Sequence, residues 1–459
     1  METLKQINSV VEKLSILLKQ KGLNDRDQPY LIGIICLILK SNLDWNGEGN
    51  YLEQTMEHFG FDQGLKNRLQ KVDQSGIANV ISLIKTQIGT SDYATLINHL
   101  WTYFQQYVSR NDKNQVFTPL HISEFIYECF DLDQDQLIYD PTAGIGNLLI
   151  PALNRELQVI ANEDDPEVAT LLKINLALNG KFKNHIVSNQ SCFTYQPEHK
   201  AKIGLTLINP PYNANLKDVE SALVDKNGAD QTKGLFFVDQ IANQINQGYL
   251  VAIVPLSCAI GNNKAIATIK ERLLAKHSLE AVFSLPNDLF YPNASVNTCM
   301  MIFKLNQPHL EMRQATYFGY YKDDGFKNHK QLGRVDAKNQ WNLIKQKWVD
   351  YYRQRISAAG FSVLKNVNYD DEWLSEAYME TDYSQLREQD FINTLQEFLA
   401  FKIKNPELIN KAVLKEIETE GIEGNFIITE NEIMTSEQQR DFTNNAKTNK
   451  PKWKQLKLF

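Results

Sequence analysis

The sequence predicts an α/β fold: a mostly parallel sheet covered by helices on both faces, with a helical region on each side of it. Two observations carry that expectation. Short β-rich runs alternate with helical stretches across residues 109–335, the pattern of strands joined by crossover helices. The flanks, 1–108 and 336–459, show helical periodicity or polar helical texture without a comparable strand series.

Along the chain, residues 1–108 place Leu4, Ile7, Val11, Leu14 and Leu18 at helical spacing, and Gly22, Pro29, Gly47, Gly49 and Gly60 punctuate the pattern. A helical N-terminal domain is expected there. In the central region the expected strands are 137–139, 158–161, 185–187, 205–208, 249–254, 279–284 and 298–304, with helices at 166–178, 234–245 and 264–276. The last two strands have only a loop between them, too short for a parallel crossover, so they are expected to pair antiparallel. Beyond 335, residues 341–356 are rich in Lys, Gln, Arg and aromatics, and the tail gathers Lys447, Lys450, Lys452, Lys454 and Lys457. A helical C-terminal region with a basic tail is expected; its cations are read first as a solvated helix face and second as phosphate contacts.

Bulk properties narrow the function. The 459 residues suggest about three domains at ~150 residues each, and the hydrophobic content of 43% excludes a disordered chain. A net charge of −7 excludes coating nucleic acid by bulk charge, so a nucleic-acid enzyme of this composition needs a local basic channel or a basic partner. Cys36, Cys129, Cys192, Cys258 and Cys299 are scattered without a CxxC pair, which argues against a disulfide framework or a zinc site. The histidines show no metal-ligand spacing, so no metal is expected. The N-terminus reads as a charged amphipathic helix, not a signal peptide, and the apolar run 31–39 is about half the ~20 residues that span a bilayer. A soluble, cytoplasmic protein without a membrane partner is the expectation.

Three clusters carry chemistry. The first is Asp140-Pro141-Thr142-Ala143-Gly144-Ile145-Gly146-Asn147, between a strand and a helix. Its glycines permit a sharp turn and close approach of the backbone to a ligand at the carboxyl end of the first strand. The second is Glu163, at the end of the second strand, placed to accept hydrogen bonds from ribose hydroxyls. A third glycine is missing, which favours a cofactor without a pyrophosphate. S-adenosyl-L-methionine fits that description.

The third cluster, Asn209-Pro210-Pro211-Tyr212, directly follows an apolar strand. The prolines cannot continue a helix or a central strand, so the chain leaves the sheet in a rigid turn. The Asn209 side-chain oxygen and the Pro210 carbonyl can accept hydrogen bonds from an exocyclic amine, and Tyr212 can stack on the attached ring. An adenine amine is a poor nucleophile because its lone pair is delocalised. Two acceptors localise that lone pair and stabilise the positive charge that develops on attack, the logic of an oxyanion hole with signs reversed.

With these residues in view, the chain resembles the N6-adenine DNA methyltransferases, and specifically the modification subunit of type I restriction-modification systems. The resemblance covers residues 100–335 well, and the flanks in length and character. It implies the class I S-adenosylmethionine-dependent methyltransferase fold, a Rossmann-like, mostly parallel, seven-stranded sheet. It also implies double-stranded DNA as substrate, a separate specificity subunit, and a restriction subunit in some assemblies. By the same resemblance the cofactor site comprises Gln115, Phe117, Thr118 and Pro119 before the first strand, then Asp140, Thr142, Gly144, Gly146, Asn147, Glu163 and Asn209. The segment Leu285-Pro286-Asn287-Asp288-Leu289-Phe290 matches one whose aromatic faces the flipped base opposite the tyrosine. Phe290 is thus expected opposite Tyr212, with Tyr291 as its alternate. The chain departs from the family after the third strand, where Gln190 stands for the usual acidic residue that binds the cofactor's adenine amine, and in the glycine loop at Thr142, Ala143 and Asn147. The short separation of Gly146 from Asn209 leaves no room for an inserted recognition domain, and the terminal 453–459 segment resembles the opening strand of one. Other readings remain open: a methyltransferase of an RNA base amine or a protein glutamine, cytosine N4 as acceptor, or a non-catalytic DNA-binding subunit.

Overall fold

The computed structural model describes residues 2–97 and 118–404 apart from 42–50, 62, 71, 90–92, 181–184, 217–222, 246, 261–262, 292–293, 310–313, 330–332 and 381–386, and beyond residue 404 only 427–428 and 433–434. The chain forms two compact units, 1–381 and 382–459. The basic tail and the 453–459 segment lie outside the described residues.

The first unit opens with helices α1 (Glu2–Gln20), α2 (Gln28–Lys40), α3 (Tyr51–His58), α4 (Gln63–Leu69) and α5 (Gln74–Gln87). There follow α6 (Leu120–Glu128), β1 (Leu137–Asp140), α7 (Ile150–Asn154), β2 (Gln158–Asn162), α8 (Pro166–Asn179), β3 (His185–Ser188) and β4 (Ile203–Ile208). After these come α9 (Leu235–Ile245), β5 (Tyr249–Pro255), α10 (Ser257–Ile260), α11 (Lys264–Lys276), β6 (Ser278–Ser284), β7 (Thr298–Lys304) and β8 (Thr316–Tyr320). The ribbon β9 (Lys327–His329) with β10 (Gly333–Val335), the helix α12 (Trp341–Arg353) and β11 (Ser362–Lys365) complete the unit. Among the described residues the second unit carries the helix α13 (Glu388–Lys404) and a two-residue ladder, Ile427–Ile428 with Ile433–Met434.

The seven expected strands are all present, but the sheet has nine, in the order β11-β8-β6-β7-β5-β4-β1-β2-β3. β8 lies parallel to β6, and β11 closes the edge antiparallel to β8. The region after residue 335 therefore begins with the expected helix and then returns a strand to the sheet. β7 runs antiparallel between β5 and β6, as the short connection requires. β5 and β7 are buried on both faces and read as continuous apolar runs.

The α1 stripe Ile7, Val11, Leu14 and Leu18 is almost completely buried, as helical spacing implies. α2 is buried from Gln28 to Ile38, because α3 and α5 cover one side and α8 the other. A Cβ on Gly33 would sit 2.6 Å from Ile174 Cγ2, so only glycine allows α2 and α8 to approach this closely. Side chains from the α2 region hold both ends of α8. Lys40 Nζ donates to the carbonyls of Ala177, Leu178 and Gly180 at 3.1, 2.7 and 3.0 Å, while Arg26 pairs with Glu167 in the first turn. Lys40 complements the negative C-terminal end of the helix dipole, and Glu167, which Arg26 pairs, complements the positive N-terminal end.

α12 buries Trp341, Trp348 and Val349. Its Lys345 pairs with Glu128 and its Arg353 with Asp131 and the Glu128 carbonyl. These two cations hold the end of α6 instead of standing as a solvated face or a phosphate contact. All five cysteines are buried free thiols. Among the described residues no helix is long and apolar enough to cross a membrane, and no side-chain group could hold a metal ion.

Candidate active site

The carboxyl ends of β1, β2 and β4 open into a cleft of about 600 Å³, the place where an open α/β sheet binds ligands. β1 ends at Asp140, 1% exposed, whose Oδ1 accepts from the Thr142 amide at 3.0 Å. Burial pushes Asp140 up to about 8, only partly opposed by that amide bond, with Glu163 adding to the rise. Gly146 has φ +87, and a Cβ there would fall 2.7 Å from Leu172 Cδ1, so both backbone and packing demand glycine. The loop is pinned to the second strand: the Ala143 amide donates to the Asn162 carbonyl, and Asn162 Nδ2 donates to the Pro141 and Gln190 carbonyls.

Glu163 faces the glycine loop. Its Oε2 accepts from the Gly144 amide at 2.9 Å and its Oε1 from the Asp165 amide at 3.1 Å. Burial raises its carboxyl to about 7 against the pull of the Asp165 and Gly144 amides, with Asp164 adding to the rise. Asn147 Nδ2 donates to the Thr118 carbonyl at 3.0 Å. Two side-chain oxygens of residues around the cleft, Asn147 Oδ1 and Asn162 Oδ1, are buried without a hydrogen-bond partner among the described residues, a cost the packing of the loop carries.

β4 delivers the Asn-Pro-Pro-Tyr turn to the same cleft. Asn209 Nδ2 donates to Thr118 Oγ1 at 3.1 Å, and the Tyr212 hydroxyl donates to Asn209 Oδ1 at 2.7 Å. Burial holds the Tyr212 phenol well above its ordinary range, so it is neutral. Beside the site, a buried ion cluster joins α6 to the segment after β6. Arg334 makes a two-pronged pair with Asp324 at 2.8 and 2.8 Å and reaches Asp288 at 3.1 Å, while His121 Nε2 lies 2.9 Å from Asp324 and its ring stacks on Phe326.

Of the residues expected at the site, Thr118, Asp140, Thr142, Gly144, Asn147, Glu163, Asn209, Pro210, Pro211 and Tyr212 line one cleft. Gly146 shapes the loop from behind, and the Pro119 carbonyl starts α6 by accepting from Ile122 and Ser123. Gln190 presents its main-chain oxygen to Asn162, while its side chain is exposed and not among the lining. At that end the wall is made by Ser191, Cys192 and Phe193. Phe290 is 3% exposed and packed in the core, away from the lining, whereas Tyr291 is 45% exposed. Gln115 and Phe117 lie outside the described residues. Sequence reasoning missed Phe193 and Phe237, whose ring centroids are 4.8 Å apart in the cleft wall. The available signal was an aromatic just after the third strand.

The family profile described as N-6 DNA Methylase matches residues 95–419, more than half of the chain. The chain belongs to the N-6 DNA Methylase family. Among curated relatives it is similar to the type II restriction enzyme and methyltransferase RM.BcgI of Heyndrickxia coagulans, 27% identical over 312 residues, which are 64% of this chain and 47% of that protein. It is also similar to the type I restriction enzyme MjaVII methylase subunit of Methanocaldococcus jannaschii, 24% identical over 323 residues, 66% of this chain and 55% of that one. The chain thus spans about half the length of these relatives. Among solved structures, the type I restriction-modification system methyltransferase subunit of Streptococcus thermophilus superposes with a TM-score of 0.58 at 15% identity, over 79% of this chain and 96% of that one. The N-6 DNA Methylase member described here thus shares the class I methyltransferase fold of such subunits, with two strands beyond the expected seven.

Proposed function

We propose that this chain transfers a methyl group from S-adenosyl-L-methionine to N6 of an adenine in double-stranded DNA. It would act as the modification subunit of a type I-like restriction-modification complex in the cytoplasm, with a separate specificity subunit and, where cleavage occurs, a restriction subunit. The observation that carries this reading is the convergence of Asn209, Tyr212, the glycine loop and Glu163 on one cleft. The carboxylate of Glu163 in the cleft wall suits a ligand with hydroxyl donors. Phe193 and Phe237 offer an apolar surface for its adenine. When bound, the cofactor supplies an electrophilic methyl on a sulfonium.

The chain's own residues would do the rest. A base inside a duplex cannot reach this cleft, so the adenine must be extruded. Tyr212 would stack on it, worth roughly 1–3 kcal/mol. Asn209 Oδ1 and the Pro210 carbonyl would hold its amine hydrogens and stabilise the charge on nitrogen. The base's second wall would come from the segment ending in Phe290 and Tyr291. Phe290 must leave the core to reach a base, while Tyr291 is already exposed.

Modified-base sequencing of DNA from cells expressing this chain, alone and with the gene beside it, tests the reading, with Asn209→Ala as control. N6-methyladenine at one motif, present only with the neighbour and absent in the variant, is the expected result. No modified base from a folded protein would turn attention to RNA and protein acceptors.

A further inference from the structure

A protein of net charge −7 that acts on DNA needs cations where the DNA backbone passes. The proposed chemistry fixes where that is. With an adenine extruded into the cleft, the phosphates on either side of it stay at the mouth, beside the Asn-Pro-Pro-Tyr turn. Lys233 stands there. It is half-buried in the turn before α9, and its Nζ donates to Asn213 Oδ1 at 3.4 Å. Asn213 directly follows Tyr212 and lines the cleft. The next residue, Gly234, packs so tightly on the prolines that a Cβ there would fall 2.9 Å from Pro210 Cγ.

The turn is braced from several sides. Asp230, 1% exposed, accepts from the Thr232 amide and hydroxyl at 2.7 and 2.7 Å and from the Gly234 amide at 2.8 Å. Thr232 Oγ1 in turn accepts from the Phe236 amide at 2.9 Å, and Cys258 Sγ donates to the Thr232 carbonyl at 3.3 Å. So held, residue 233 has φ +56, the left-handed region where glycine is the ordinary choice and a long side chain is strained. The position carries a lysine all the same. Its charge is not used within the fold: the Asp230 oxygens are taken by neutral donors, and among the described residues Lys233 meets a neutral amide and forms no ion pair.

We infer that Lys233 is a substrate-binding residue, whose ammonium contacts a DNA phosphate adjoining the extruded adenine. The inference rests on the proposed function and deepens it, adding where the DNA backbone crosses the mouth of the cleft. A phosphate is well served by a point charge on a flexible stem. The contact neutralises one phosphate and releases its counterion, so it acts on DNA affinity and salt dependence and not on the cofactor.

The full chain, in the preparation that methylates DNA in the sequencing experiment, is titrated across a salt series with a duplex carrying the methylated motif. Lys233→Gln is expected to weaken binding several-fold at about 0.1 M salt and to make the slope of log affinity against log salt shallower by about one, with S-adenosyl-L-methionine affinity within about twofold of the parent. Lys233→Arg is expected to keep the parental slope. Lys233→Gly, which suits the backbone, is expected to melt no lower than the parent and to show the same shallower slope, which separates the lost charge from misfolding. Neutral methylphosphonate in place of either phosphate flanking the target adenine locates the contact. At one of the two, the penalty seen in the parent is expected to vanish in Lys233→Gln. Parental slopes for Lys233→Gln and Lys233→Gly overturn the contact and leave the proposed function standing, as does weakened cofactor binding with an unchanged slope. A shallower slope with equal methylphosphonate penalties in parent and variant overturns its place beside the adenine. An Asn209→Ala protein as active as the parent, or a folded complex that methylates no DNA, overturns the proposed function itself and the contact with it.

Discussion

Glu163 offers a test of the cofactor site that does not depend on turnover. Its carboxyl is 6% exposed and raised from 4.5 to about 7, chiefly by burial. That displacement corresponds to roughly 3 kcal/mol of preference for the protonated form. Near pH 7 the cofactor-free site is therefore about half protonated. Ribose hydroxyls need acceptors, so binding should favour the carboxylate and expel the proton. Calorimetric titration with S-adenosyl-L-methionine in buffers of different ionisation enthalpy should show about half a proton released per cofactor at pH 7, and affinity about tenfold weaker at pH 6 than at pH 8. Glu163→Gln should bind more weakly and lose both effects. Stability without cofactor has the opposite sign. Because the folded-state value is raised, this group's contribution is fully present below pH 4.5 and is lost as pH rises through about 7. Melting temperature should accordingly fall between pH 5 and pH 8 more steeply in the parent than in Glu163→Gln. Identical apparent enthalpies in all buffers, together with a pH-independent affinity, would refute the assignment of Glu163 to the ribose.

Three further outcomes are expected. Tyr212→Phe keeps the ring but releases Asn209 Oδ1, so methylation should stay within a few-fold of the parent. Tyr212→Ala should weaken binding of an extrahelical base by roughly 1–3 kcal/mol in a fluorescent-base assay. Arg334→Ala leaves the 1%-exposed Asp324 without its two-pronged partner, which should cost roughly 3–5 kcal/mol in denaturant unfolding. In the parent, Asp324 is lowered to about 2, so its stabilising contribution is present above 3.8 and lost as pH falls through about 2; in the variant that loss should begin at higher pH. Gly33→Ala drives a Cβ into Ile174 Cγ2 and should destabilise by about 1–3 kcal/mol. Adding Ile174→Leu, which removes that methyl, should recover part of the loss in a double-mutant cycle.

The most legible strands are those whose burial on both faces leaves unbroken runs of aliphatic and other apolar side chains, such as Leu250–Val254 in β5 and Cys299–Phe303 in β7, while the short, half-exposed β3 was legible from its place in the alternation of strands and helices. β8 and β11 escaped because Thr316–Tyr320 is dominated by aromatics and a glycine, and Ser362–Lys365 is short and half exposed. Their place in the sheet depends on pairing with each other and with β6, which local pattern does not encode. At the site, the glycine loop and the Asn-Pro-Pro-Tyr turn were readable because their geometry demands unusual residues in close succession. The Thr118–Asn209 bond joins residues 91 positions apart and leaves no local trace. Phe290 and Tyr291 are adjacent aromatics, and only the packed structure decides that one enters the core while the other faces outward. The ion cluster of His121, Asp288, Asp324 and Arg334 was missed for the same reason: four ordinary surface-type residues, scattered along the chain, are brought together by folding.

The seating of β7 between β5 and β6 also governs how the chain can be made. During synthesis β5 and β6 both emerge before the strand that separates them. At roughly 5–20 residues per second, the interval from the end of β5 to the end of β7 lasts on the order of a few seconds. Through that interval β5 presents an unpaired, wholly apolar edge, and β6 is an adjacent strand that could occupy the wrong lane. A hydrophobic edge left open in this way invites mispairing with another nascent chain. The half of the sheet that carries the cleft, β1 to β4, is already translated by then and can close first. The half of the sheet that carries the cleft is thus laid down early, and the far half is the stretch where a chaperone, or a slower ribosome, would matter most to the yield of folded protein.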